Sequence, residues 1–108
     1  MKRFIVTWAE VAGRDLERIV DFIAAESPVQ ARPSLERIEA AAGALVQFPA
    51  RGRVVPELKW QGIDRYRELQ VPPWRVVYRI EGRRVFVVAV LDSRRSLEDV
   101  LLDRFLER

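Results

Sequence analysis

The sequence predicts a single α+β domain over 1–108, with an N-terminal strand, a helical hairpin packed on a curved antiparallel sheet, and a short C-terminal helix. Three observations point there. A β-branched and aromatic stretch opens the chain, apolar residues then recur at helical spacing, and from the middle onward they alternate or run on as strands do. With 108 residues, 49% of them hydrophobic, the chain can build one core and has little room for a second.

Arg3 to Trp8 suits a strand, being rich in β-branched and aromatic residues. From Ala9 the period changes. Leu16, Ile19, Val20 and Ile23 fall at i, i+3, i+4 and i+7, one face of a helix ending near Glu26. Ser27-Pro28 predicts an N-cap with proline in the first turn of a second helix. Its stripe runs through Leu35, Ile38, Ala42, Leu45 and Phe48 and stops at Pro49. Pro33 falls within that stretch. A proline inside a helix costs about 3 kcal/mol, so either a kink at Pro33 or a helix beginning there is expected.

After the turn Arg51-Gly52-Arg53 the pattern is β: Val54 to Leu58, Tyr66 to Val71, Trp74 to Ile80 and Arg84 to Leu91. Glu81-Gly82 predicts a tight hairpin turn between the last two. Val85 to Leu91 is apolar throughout, which predicts a central strand covered on both faces. Leu97, Leu101 and Phe105 share one side of the closing helix.

Composition narrows the chemistry. The absence of Cys removes disulfides and thiolate nucleophiles, and the absence of His leaves no Ser-His-Asp triad and no His/Cys zinc site. Neither metal nor cofactor is expected. No apolar run approaches the roughly 20 residues of a membrane span, and the basic, apolar start is too short for a signal peptide, so the chain reads as cytoplasmic. Charge is unevenly spread. Residues 51–95 carry eleven basic and five acidic side chains, whereas residues 1–50 carry six and seven. Seventeen of the 19 basic residues are Arg, which offers bidentate contacts to phosphate or carboxylate, although a GC-rich genome gives the same bias. The basic stretch points to a polyanion or an acidic protein as partner.

Four stretches, in this order, resemble the RelE/ParE toxin superfamily of type II toxin–antitoxin systems. They are Ala9-Glu10 with Asp15-Leu16-Glu17-Arg18-Ile19; Glu26-Ser27-Pro28 and, later, Phe48-Pro49 with the run from Arg51 to Leu58; Tyr66-Arg67-Glu68-Leu69 with Trp74 to Ile80; and Val85 to Leu91 with Asp92-Ser93-Arg94-Arg95. The resemblance implies a small basic toxin neutralised by a cognate antitoxin in a hetero-oligomer. RelE-like members cleave ribosome-bound mRNA without a metal, and ParE-like members poison DNA gyrase.

In the nuclease members, sheet Lys, Glu and Arg residues and a C-terminal Tyr or His carry the chemistry. Arg75 matches the Arg preceding the family's Val-Val-Tyr strand and would stabilise transition-state charge. Lys59 or Glu57 would stand near the base, and Arg94 or Arg95 at the second phosphate-binding Arg. The C-terminal Tyr or His is missing, since Tyr66 and Tyr78 are the only tyrosines. That departure favours a ParE-like toxin. The alternatives are the ribosome-dependent nuclease and a toxin-fold protein of little toxicity.

The expected target-contacting set is Arg53, Arg67, Arg75, Arg94, Arg95 and Trp60. Leu16, Ile19, Ile23, Leu97, Leu101 and Phe105 are expected to line an antitoxin groove. Blander readings stand beside these: Tyr78 and Trp74 as core, Glu57 and Glu68 as partners of nearby Arg, and Arg83-Arg84 as solubilising charge.

Overall fold

The computed structural model describes residues 3–93 and Arg104. β1 (Ile5–Trp8) leads into α1 (Glu10–Glu26), which turns at Ser27 into α2 (Pro28–Gly43). Two short 3₁₀ turns, Ala44–Val46 and Pro49–Arg51, carry the chain to β2 (Arg53–Val54) and the one-turn helix α3 (Pro56–Lys59). β3 (Tyr66–Val71), β4 (Trp74–Glu81) and β5 (Arg84–Asp92) then form a meander.

The sheet is ordered β1-β5-β4-β3-β2. β2 to β5 pair antiparallel as expected, but β1 lies parallel to β5, with Ile5 opposite Arg84 and Trp8 opposite Val87. The sheet is therefore mixed. A parallel pair needs a crossover, and the helical hairpin begins it. Between β4 and β5 the turn falls on Gly82-Arg83, one residue later than expected, with Gly82 at φ +58 and Glu81 facing Arg84. A positive φ at the first of two turn positions suits glycine and matches the twist of the strands.

Other local differences have plain causes. The expected strand from Val54 to Leu58 stops after Val54, because Pro56 has no N–H for a ladder and instead starts α3. Ser27 occupies the N-cap position of α2, but its carbonyl, not its side chain, accepts the Gln30 N–H. α2 runs through Pro33 and begins at Pro28. The missing bond leaves the Val29 carbonyl over, in a first turn where Val29 is 80% exposed and water is at hand.

Two cores cover the sheet. On one face Ala12, Ile38, Ala42 and Leu45 of the helical layer pack on Val76, Tyr78, Val85 and Val87. On the other, Val55 and Leu58 cover Tyr66, Val77, Ala89 and Leu91. Val85, Val87 and Ala89 are wholly buried, so β5 is the two-sided central strand its apolar run predicts. Val77 faces Ala89 while Tyr78 faces Val87, which makes Val88 a bulge residue. The expected C-terminal helix with Leu97, Leu101 and Phe105 lies outside the described residues. Among the described residues no helix is long and apolar enough to cross a membrane.

Candidate functional site

The two-residue period of a strand puts Glu68 of β3 and Arg75 of β4 on the sheet face that lies away from α1 and α2. α3 is seated on that face by Leu58 and brings Glu57 there. Arg75 donates Nε to Glu68 and both terminal nitrogens to Glu57, at 2.9 and 3.0 Å. Arg53, directly across the β2–β3 ladder from Glu68, donates Nε to its second oxygen at 2.6 Å. Two guanidinium groups and two carboxylates thus meet with no net charge. The Glu68 side chain is wholly buried and that of Arg75 is 7% exposed. Burial alone would lower the pKa of Arg75, but hydrogen bonds and charge from Glu57 and Glu68 outweigh it and raise the pKa. The Arg75 hydrogen bonds hold Glu57 below the usual carboxylate range, against the opposing pull of burial.

Beside this cluster, the turn at residues 49–52 is strapped to the sheet. The wholly buried Tyr78 donates its hydroxyl to the Pro49 carbonyl at 2.7 Å and accepts the Gly52 N–H at 2.9 Å. Burial pushes its pKa up. Gly52 is needed for space, since a Cβ there would lie 2.5 Å from the Glu68 carbonyl oxygen and 2.6 Å from the Tyr78 hydroxyl. Arg67 donates to the Gly52 carbonyl at 2.7 Å. The strap delivers Arg51 and Arg53 to the rim of an open cleft of about 310 Å³, which Ala41, Glu68 and Gln70 also line.

A second concavity lies between α1 and the β3–β4 turn. Ile19, Phe22 and Ile23 of α1 face Pro73 and Trp74, with Arg18 and Asp92 at its margins, in a groove of about 560 Å³. Phe22 is 69% exposed. Pro72-Pro73, joined by a cis peptide, is the tight β3–β4 turn, with Val71 opposite Trp74.

The residues expected from sequence are thus divided. Arg53 and Arg75 meet in one network with Glu57 and Glu68, the carboxylates read as their partners. Arg67 is committed to turn carbonyls, Lys59 is exposed at the end of α3, and Trp60 beside it is 81% exposed. Ile19 and Ile23 line the apolar groove; Leu16 packs against the main core and lines a different hollow, between α1 and α2. Arg94, Arg95, Leu97, Leu101 and Phe105 lie outside the described residues.

Sequence reasoning passed over Asp15. This 5% exposed carboxylate accepts the Val90 N–H at 3.0 Å and pairs with both terminal nitrogens of Arg104 at 3.0 and 3.1 Å. The available signal was an acid one helical turn from both Ala12 and Ile19, within the apolar stripe.

Comparison with known proteins places this architecture. Residues 6–97 match the family model described as the ParE toxin of the type II toxin–antitoxin system ParDE. The chain is similar to Toxin ParE3 of Caulobacter vibrioides, 34% identical over 84 residues that cover 77% of this chain and 80% of the relative. It is also similar to Toxin RelE2 of the same organism, 31% identical over 96 residues covering 88% and 99%. Its fold matches a solved structure titled as the chromosomal ParDE toxin–antitoxin system from P. aeruginosa, with a TM-score of 0.68 at 19% identity, covering 83% of this chain and 96% of that one. With the family model spanning most of its length, the chain belongs to the ParE toxin family of type II toxin–antitoxin systems.

Proposed function

We propose that this protein arrests growth by acting on DNA gyrase, and that a cognate antitoxin holding an apolar segment against Ile19, Ile23, Phe22 and Trp74 neutralises it. The observation that carries this reading is the state of Arg75. A cation that stabilises a phosphorane must be free to face it, and Arg75 is 6% exposed and bonded to two carboxylates. Acid chemistry has no better footing. The sequence has no His, and the Tyr78 hydroxyl is held in the strap at residues 49–52.

The test is supercoiling and cleavage-complex formation by gyrase with the purified chain, with and without antitoxin. Cleaved plasmid that accumulates and is rescued by antitoxin is the expected result; unaffected gyrase overturns it. The second reading, metal-free cleavage of ribosome-bound mRNA, is favoured by the similarity to RelE2 over nearly that relative's whole length. It requires Arg75 to leave its carboxylates on the ribosome. Under that reading Arg75→Ala abolishes growth arrest while antitoxin affinity persists, with Lys59 the next residue to substitute.

A further inference from the structure

Trp60 is the most exposed large apolar side chain among the described residues, at 81%, and it joins neither core cluster. The backbone beneath it is nonetheless fixed. α3 closes with a glycine cap: the Ile63 N–H donates to the Leu58 carbonyl and the Gly62 N–H to the Lys59 carbonyl, each at 2.9 Å, with Gly62 at φ +82. Leu58 and Ile63 pack in the same apolar cluster, the contact that accompanies such a cap. One turn earlier the Lys59 and Trp60 N–H groups donate to the Val55 and Pro56 carbonyls at 3.0 Å, and Arg75 ties Glu57 to the sheet. A turn held at so many points presents a Trp that the fold itself does not use.

An aromatic side chain on a fixed turn loses little conformational entropy on entering a pocket, and Trp is enriched among the residues that dominate protein interfaces. The charges around it suit an acidic partner. From Arg51 to Arg75 the chain carries six cations and three carboxylates. Two of those carboxylates, Glu57 and Glu68, are taken up by Arg75 and Arg53, which leaves Asp64 as the third. Lys59 and Arg65 are exposed, and the Arg65 guanidinium lies over the Tyr66 ring, 5.4 Å from its centre.

We propose that Trp60 is the anchor by which this toxin holds its target protein, entering an apolar pocket whose acidic rim meets Lys59 and Arg65. The proposal rests on the gyrase reading and adds a contact surface to it. That surface shares no residue with the groove of Ile19, Phe22, Ile23 and Trp74 assigned to the antitoxin. A track for single-stranded nucleic acid would set further aromatics in line for successive bases. Here the next aromatic, Tyr66, is buried beneath Arg65, so a protein pocket is favoured over a strand.

Trp60→Ala removes a side chain that packs in neither core, so the circular dichroism and melting of the parent should be kept. It is expected to inhibit supercoiling by purified gyrase at least about tenfold more weakly, with antitoxin affinity unchanged. Lys59→Glu and Arg65→Glu should each weaken inhibition by about threefold or more. Val29→Ser, which removes an equally exposed apolar side chain at the start of α2, should inhibit as the parent does. Should Trp60→Ala misfold, Trp60→Gln puts the same question. Full inhibition by the folded variant overturns the anchor and leaves the gyrase reading standing, and a parallel loss of antitoxin affinity overturns the anchor by making Trp60 an antitoxin contact. If the parent leaves gyrase unaffected, the gyrase reading fails and growth arrest decides: arrest lost with Trp60→Ala while antitoxin still binds supports the anchor, and arrest retained overturns it. A parent that neither inhibits gyrase nor arrests growth overturns both. A mixed-sequence single-stranded oligonucleotide that quenches the tryptophan emission of the parent but not of Trp60→Ala overturns the protein assignment.

Discussion

Two regions of this molecule, the charged sheet cluster and the apolar groove, are built on opposite plans. In the sheet cluster every charge is answered: Arg75 by Glu57 and Glu68, and Glu68 again by Arg53. In the apolar groove Phe22 stands 69% exposed beside Trp74, and among the described residues it joins neither core cluster. The first region is finished within the chain, whereas the second leaves a large apolar side chain open at the surface. Basic residues at a cleft are therefore poor evidence of an anion site until their partners are counted, and a lone aromatic on a helix can say more.

The largest expected effect comes from attacking the closed region. Glu68→Ala leaves Arg75 buried with half its partners gone, and a buried ion pair broken on one side costs about 3–5 kcal/mol. Urea unfolding should show that loss, and equal midpoints for variant and parent would mean that Arg75 finds water or another partner. Gly52→Ala comes next, because its Cβ would press on backbone, the Glu68 carbonyl oxygen, which cannot swing away. Overpacking of this kind costs about 1–3 kcal/mol. Tyr78→Phe strands the Gly52 N–H and the Pro49 carbonyl, for about 1–3 kcal/mol by the same measurement.

The pH response sharpens the comparison further. Because Arg75 lowers the native pKa of Glu57, the unfolded chain takes up its proton first as pH falls. The stability that Glu57 contributes is present above its ordinary value of about 4.3 and is lost as pH drops through the native one. Glu57→Gln should flatten that acid limb in a series of unfolding midpoints. Tyr78 gives the opposite limb. Its native pKa is raised, so its contribution is full below about 10 and lost as pH climbs through the native value, which Tyr78→Phe should remove. The smallest stability effect belongs to the open region: Phe22→Ser should move the midpoint by about 0.5 kcal/mol or less. The same variant should bind antitoxin at least about tenfold more weakly, and unchanged affinity would exclude Phe22 as an anchor.

Periodicity made the helical hairpin and the central strand legible, since Ile38, Ala42 and Leu45 bury at one spacing and Val85, Val87 and Ala89 at another. It could not tell the direction of β1. Four extended residues look alike in parallel and antiparallel pairs, and the choice is made by a crossover that only the assembled fold reveals. The site was half legible. That Glu57 and Glu68 would meet Arg side chains was legible in the sequence, but Glu57 lies on a helix and not on the expected strand, and the commitment of Arg75 to both depends on α3 folding back over the sheet. Pro56 marked where the strand had to stop, and an apolar run around it hid the signal. Asp15 was hidden differently, because a helix-surface acid and a buried one carry the same letter until the neighbouring strand edge is known.

The parallel contact between Ile5 and Arg84 also sets an order in time. The first strand leaves the ribosome early and waits for a partner made near the end of the described chain, so the sheet cannot close while most of it is still being synthesised. Until then the helical hairpin lacks Val85 and Val87, part of the sheet face on which its stripe packs. A chain truncated after Ile80 should show no cooperative unfolding transition. The domain completes its sheet late, and synthesis itself delays the moment at which a finished toxin exists.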